Sequence, residues 1–306
     1  MWFNNLIIYR LSKAIDLTPD QLETRLEEFA FHPCGSQDLS KFGWAKPMGK
    51  IGSSLIHVTD GNIMLCARKE DKMLPASVIK DALDEKVELI EQESARPVTK
   101  KEKDAMKEEI IHTLLPRAFS RLSSTFAYIS PKQGLIIVNA SSHNKAEDLL
   151  ALLRKSIGSL AVLPAQVKTP IDQTMTQWLT DDSAIAPFSL LEEGELKSPL
   201  ENGAVIRCKN QELVCSEIKA HIENGMFAVK IAMQYAESMT FILNEDLTIK
   251  RVKFTDVVTD QQDDQDKADK AACFDADFAI MAGEFESFIP ALFDLLGGEE
   301  TTAAAE

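Results

Sequence analysis

HTLLPRAFSRLSSTFAY (112–128) is the stretch around which the chain is arranged. An apolar helix end, Leu114 and Leu115, runs into Pro116, which lacks an N–H and closes a helix. Arg117 and Arg121 stand four apart, with Phe119 and Phe126 flanking them. The arginines have three readings. They are solvated charges meeting a helix C-terminus, partners of the chain's many carboxylates, or phosphate contacts, for which a planar guanidinium is suited. Phe119 reads either as core or as interface, since an aromatic beside arginine is a frequent interface pairing.

Upstream, Ser77–Ser94 carries Ile79, Leu83, Val87 and Ile90 on one helical face and ends at Arg96-Pro97. Thr99-Lys100-Lys101-Glu102 is a capping box that opens a second helix, with Met106, Ile110 and Leu114 on its apolar side. Two helices joined by so short a link form an antiparallel hairpin. Its narrow apolar stripes predict that it projects, with Arg96, Lys100, Lys101 and Lys103 at the tip. Downstream, strands at Thr125–Ile129 and Leu135–Ala140 flank Pro131-Lys132-Gln133-Gly134, and a helix over Asn144–Ile157 stops at Gly158.

Nearer the N-terminus, Ile7–Leu11 reads as a strand and Thr18-Pro19-Asp20-Gln21 as a capped helix start. Phe42-Gly43-Trp44 reads as irregular. Asp60-Gly61-Asn62 joins strands Leu55–Thr59 and Ile63–Ala67. A second half begins near Pro164, with a short helix at Pro170–Trp178 and a loop at Asp181–Pro187. A strand at Ala204–Cys208 leads into Lys209-Asn210-Gln211, and a helix at Ser216–Asn224 follows. Ala228–Tyr235, Thr240–Leu243 and Leu247–Phe254 form a meander, in which strict alternation puts Arg251 and Lys253 on one face with Ile249. Gln261–Lys270 is polar and acidic. Phe274–Met281 is apolar and precedes a helix with Phe285, Phe288, Ile289 and Leu292, and Glu299–Glu306 reads as a disordered tail. The fold class is α+β: antiparallel sheets, packed helices and a projecting helical hairpin. The expected units are a central domain (1–75 with 114–163), the hairpin (76–113) and a second α+β domain with an acidic end (164–306).

Composition narrows the function. Five scattered cysteines with no CxxC point to reduced thiols in the cytoplasm and away from a zinc site. No run of eighteen apolar residues occurs, so no membrane span is expected. The net charge is −15, but residues 255–306 hold 14 acidic and 2 basic residues, a net of −12, leaving only −3 on the other 254. A body so balanced can carry a basic face. No phosphate-cradling glycine loop, GxSxG or HExxH is present. The pair His32 and Cys34 reads as a packed turn, so no catalytic residue, cofactor or metal is assigned, and the chain is expected not to be an enzyme. The basic clusters are Arg96/Lys100/Lys101, Arg117/Arg121, Lys209 with Gln211, and Arg251/Lys253. With nothing like a helix-turn-helix or zinc finger, any DNA contact would be to phosphates, without sequence preference and sensitive to salt. A rival reading makes the acidic C-terminal segment a protein-interaction module.

Several stretches in order resemble the RdgC family, the recombination-associated, nucleoid-associated DNA-binding proteins of proteobacteria. They are MWFNNLIIYRLS (1–12), FHPCGSQD (31–38), FGW (42–44), LLPRAFSR (114–121), GLIIVNASSHNKAEDLLALLRKSIGSL (134–160), VIRCKNQEL (205–213), LTIKRVKFTD (247–256) and FDADFAIMAGE (274–284). The resemblance implies a ring-shaped homodimer with duplex DNA in a basic central hole, single-stranded DNA being a further candidate partner. It implies competition with the RecA recombinase for DNA. It places dimer closure on Phe119 and DNA contact on Arg96 and on the residues after the VIR strand. There Asn210 stands where the resemblance leads one to expect lysine, which shifts that role to Lys209 with Gln211.

Overall fold

The computed structural model describes residues 2–181, 185–260 and 269–300. Among them eight α-helices pack on a twelve-stranded sheet whose ladders are all antiparallel, an α+β arrangement. β1 (Asn5–Leu11) sits at its middle because both its edges are used. One edge pairs with β6 (Leu135–Asn139). The other pairs with β12 (Ile249–Phe254) at its start and β7 (Val162–Pro164) at its end. Outward through β6 come β5 (Phe119–Ser130), then β4 (Asn62–Met73), then β2 (Ser40–Ala45) and β3 (Ile56–Thr59) side by side. Outward through β12 come β11 (Met239–Asn244), β10 (Phe227–Tyr235), β8 (Phe188–Lys197) and β9 (Val205–Lys209).

The period-2 pattern of β1 feeds two cores. Ile7 and Tyr9 face α1 (Pro19–Glu27) and α4 (His143–Ile157), whereas Leu6 and Ile8 face α8 (Lys270–Leu295). The helix starts follow their sequence signals. Thr18 and Gln21 form the reciprocal capping box of α1, with Pro19 in the first turn, and Leu22 and Leu26 are its buried stripe. α2 (Ala76–Ser94) and α3 (Lys100–Leu114) form the helical hairpin. The second half adds α5 (Ile171–Thr180), α6 (Ser216–Glu223) and α7 (Asp256–Thr259).

α8 is a single helix of 26 residues, where the sequence suggested an apolar stretch followed by a shorter helix. It is apolar round most of its girth, the mark of a buried helix rather than an amphipathic one. Phe285 stacks on Tyr128 of β5 (centroids 6.5 Å apart, planes 6° apart) and meets Phe254 of β12 at 5.5 Å. One turn on, Phe288 meets Phe241 at 5.0 Å and Tyr235 at 5.3 Å. Pro290 removes one backbone donor from within the helix, which leaves the Glu286 carbonyl without its helical partner. The Gln133 side-chain amide donates to that carbonyl at 2.9 Å, from the turn between β5 and β6. Among the described residues no helix is long and apolar enough to cross a membrane.

Several expectations are corrected. Phe42-Gly43-Trp44 is strand, not irregular: Gly43 passes so close to the backbone of Phe29 and Phe31 that a Cβ there would lie 2.7 Å from the Phe31 Cα. Trp44 is buried, its indole N–H donating to Ser156 Oγ at 2.8 Å. β8 had no sequence signal, because Glu192, Glu193 and Glu195 interrupt its apolar pattern. The tail does not begin at Glu299: Glu299 bridges Val167 and is gripped by Arg10, and the Glu300 N–H donates to the Gln166 carbonyl. The expected acidic stretch Gln261–Lys270 and the end of the tail fall mostly outside the described residues. All five cysteines are free.

Phe285 is fully buried and Phe119 is 80% exposed, so the two should behave oppositely. Phe285→Ala is expected to lower the unfolding free energy by about 3–5 kcal/mol. Phe119→Ala in the isolated subunit should change it by no more than about 0.5 kcal/mol. Urea unfolding followed by far-UV circular dichroism separates them, and similar losses for both would contradict the buried role of α8.

Candidate nucleic-acid interface

The structure places the sequence-selected residues in two regions. The first is an arm. β4 and β5 pair without a break from Ile63↔Ile129 to Met73↔Phe119, and the α2–α3 hairpin sits on the far end of this ribbon. Phe119–Ser124 is exposed throughout. Of the three readings of these arginines, that of helix-end charges fits Arg117 and fails for Arg121. α3 stops at Leu114, a single 3₁₀ turn spans Leu115–Arg117 around Pro116, and Ala118 is extended, so Arg121 lies within a strand. Phe119, Arg121 and Ser123 then share one face, opposite Met73, Asp71 and Lys69. Phe119 and Met73 are direct cross-strand partners, 80% and 48% exposed, which makes a small apolar patch at the root of the hairpin. Leu122, 61% exposed, points to the other face.

At the tip, Ala95 ends α2 in the left-handed conformation (φ 51°), and Val98 is buried between the helices. The Arg96 guanidinium forks onto Glu102, Nη1 at 3.1 Å and Nη2 at 2.6 Å. The same carboxylate accepts from the Thr99 N–H at 2.9 Å and hydroxyl at 2.8 Å. The Arg96 bond, then those from Thr99, pull the Glu102 carboxyl down to about 2. Arg96 is therefore presented to solvent with both of its Nη groups already engaged by Glu102. Lys100 and Lys101 are exposed in the first turn of α3, where the helix dipole disfavours cations and an approaching anion would relieve them.

The second region is the outer face of β12–β11–β10–β8–β9. Register sets three side chains in a row: Lys230 of β10 opposes Glu195 of β8, which opposes Arg207 of β9. Two residues along, Glu193 opposes Lys209. Lys230 Nζ and Arg207 Nε both contact Glu195 Oε2 at 3.0 Å. Arg251 Nη1 lies 2.8 and 3.0 Å from the two Glu193 oxygens. β11 and β10 stand between those partners, a span of roughly 14 Å on a flat sheet. The long side chains meet across this face, around a concavity of about 330 Å³ lined by Arg207, Lys209, Lys230 and Arg251 together with Glu193 and Glu195. Burial raises the Glu195 carboxyl, but the bonds from Lys230 and Arg207 outweigh it and hold it below the usual range.

Arg251 reaches the concavity because the alternation expected for β12 fails. Its φ is +52°, and the ladder slips between Thr240 and Ile242. This bulge returns Val252 to the core beside Ile249 and turns Arg251 outward. Lys253 is exposed on the same strand but does not line the concavity. Gln211 is exposed beyond β9, its amide 3.8 Å from the Cys215 sulfur. Arg207 and Lys230 were missed in the sequence. Their signal was the facing pair of alternations Glu193-x-Glu195 and Arg207-x-Lys209, which becomes readable once β8 is known to be a strand.

Residues 1–299 match a family model described as "Putative exonuclease, RdgC". The chain belongs to the RdgC family. A relative from Aeromonas hydrophila subsp. hydrophila, named recombination-associated protein RdgC, is 55% identical over 300 residues, 98% of this chain and 99% of that protein. Relatives of the same name from Psychromonas ingrahamii and Proteus mirabilis are 51% and 50% identical, each over 98% of this chain and 100% and 99% of the relative. The two names point different ways, one to nuclease chemistry and one to recombination. Among the described residues no group of three or more His, Cys, Asp or Glu is arranged to hold a metal ion.

The arm tip makes a pH prediction. Glu102 sits far below its ordinary 4.5, so its clasp on Arg96 contributes fully above about pH 4.5 and is lost as the pH falls through about 2. The Arg96 Nε–H resonance should stay constant from about pH 7 to 4 and move with a midpoint near 2. A midpoint near 4.5, or no change on Glu102→Gln at neutral pH, would mean the clasp is open in solution.

Proposed function

We propose that this RdgC family member binds double-stranded DNA without regard to sequence. It acts as a ring-shaped homodimer that encloses the duplex and restrains RecA-mediated recombination by competing for DNA. The observation that carries the reading is the concave face, where four cationic side chains outnumber two carboxylates, Glu193 and Glu195, on a body otherwise close to neutral. Such a face engages phosphates, which position a protein on DNA but carry no sequence information. Lys209, Gln211 and Arg251, with Lys253 nearby, are the DNA contacts on this side. Arg96, Lys100, Lys101, Arg117 and Arg121 are those on the arm. The recombination-associated name of the relatives agrees with this role. The protein is proposed to work in the cytoplasm on the nucleoid, without a cofactor and without catalysis.

Phe119 is the proposed dimer contact. A phenylalanine 80% exposed on a regular strand, with Met73 opposite, is an apolar anchor without a cover in the single chain. The hairpin over 76–113 is proposed as a module apart from a central domain (1–75 with 114–163) and a second domain (164–306). The rival reading, an acidic C-terminal segment that captures proteins, has fewer acids to draw on than the sequence suggested. Asp275 pairs with His57 at 3.0 Å, Glu286 with Lys132 and Glu299 with Arg10.

Fluorescence anisotropy with two unrelated duplexes tests the reading. Affinities should agree within about threefold. If six to ten phosphates are contacted, they should fall by about 10³–10⁵ between 50 and 200 mM salt. Flat salt dependence would overturn it. Light scattering should show a dimer, and Phe119→Ser should shift it towards monomer while weakening DNA binding. An unchanged mass would remove Phe119 from the interface. Duplex incubated with the protein and Mg²⁺ should remain full length, and shortened products would favour the nuclease named in the family description.

A further inference from the structure

The concave face holds its cations in a state that opposes the function proposed for it. Arg207 and Lys230 share Glu195, and Arg251 is forked by both oxygens of Glu193; Lys209 alone of the four has no ion-pair partner among the described residues. The acids are there by construction. Gly194 between them faces the core, where a Cβ would stand 3.2 Å from both Leu213 methyls. That packing fixes Glu193 and Glu195 on the outer face, amid the cations. A carboxylate and a phosphodiester oxygen compete for the same guanidinium and ammonium donors. Arg207 and Arg251 are largely exposed, so their pairs are screened and readily exchanged.

We propose that Glu193 and Glu195 are internal competitors of the DNA backbone, and that Arg207 and Lys230 become phosphate contacts by exchanging Glu195 for phosphate. The inference rests on the duplex-binding reading. In the unbound protein the carboxylates keep four crowded cations from repelling one another and keep the face from holding any polyanion permanently. In the complex they remain beside the phosphates as like charges, which lowers affinity and eases release. The acids thus set the strength of a sequence-independent contact.

The test is duplex affinity across a salt series for the intact protein and Glu195→Gln. The substitution keeps the shape and a hydrogen-bonding amide but removes the charge. It should tighten binding roughly five- to tenfold near 0.1 M salt and steepen the slope of log K against log[salt] by about 0.9, one further phosphate neutralised. The gain should vanish when Arg207→Gln and Lys230→Gln are added. Glu27→Gln, an exposed acid on α1, should leave affinity unchanged, which separates a local exchange from a general change in net charge. If Glu195→Gln does not fold, as judged by its thermal melt, Glu193→Gln carries the same test through Arg251. Wild-type binding with no gain in the folded glutamine variant overturns the exchange and leaves the DNA reading intact. An equal gain from Glu27→Gln also overturns it. Wild-type protein that binds no duplex overturns the reading itself.

Discussion

The contact of α8 with both wings of the sheet is the constraint on which the rest of the structure depends. A sheet whose strands run from β2 to β9 has no reason to be one body unless something covers the faces on either side of β1. Phe285 reaches Tyr128 and Phe254, and Phe288 reaches Phe241 and Tyr235, so one turn of one helix touches the left, the middle and the right of the sheet. Burial of aromatic area of this kind is the largest favourable term available. The polar contacts around it set position rather than strength. Gln133 supplies the donor that Pro290 lacks, and Arg10, Lys132 and His57 take up acids on and beyond the helix.

That arrangement explains the charge pattern. The C-terminal part of the chain is acidic, and two of its carboxylates pair with cations from the other half of the protein, Glu286 of α8 with Lys132 and Glu299 with Arg10. The remaining balance leaves room for two basic regions. On the arm, the cations are solvent-facing and widely set. On the concave face they are crowded, and carboxylates are interleaved with them. The difference follows from geometry: a helical hairpin spreads its side chains radially, whereas strand register sets alternate residues of neighbouring strands side by side on one face.

The arm owes its exposure to strand length. β4 and β5 keep pairing for half a dozen residues after the helices that cover their base have ended. β6 ends opposite Phe126, so beyond it β5 is an edge strand on β4, which keeps β2 on its other side as far as Asp71; Phe126 is partly buried, and Phe119–Ser124 are exposed. The apolar patch at Phe119 and Met73 arises in that way.

Much of this was written locally in the sequence. The capping boxes at Thr18 and Thr99, the Asp60-Gly61 turn and the alternating meander were legible because each depends on residues within a few positions of one another. The hairpin of α2 and α3 was legible for the same reason, and the stretches that resemble the RdgC family pointed to the family. Tertiary structure decided what depends on distant partners. Gly43 and Trp44 became strand because Phe29 and Phe31 lie beside them. Glu193 and Glu195 became the outer row of a strand because Arg207, Lys230 and Arg251 are there to meet them. The left-handed turn at Arg251 broke a period-2 reading that was otherwise sound. Arg121 moved from a helix end to a ribbon because β4 offered eleven consecutive pairing partners. The sequence by itself determined the capped helices α1 and α3, the tight turns and the family. The cationic concavity, with the acids that temper it, belongs to the tertiary fold, because it is assembled from four strands that only long-range pairing brings together.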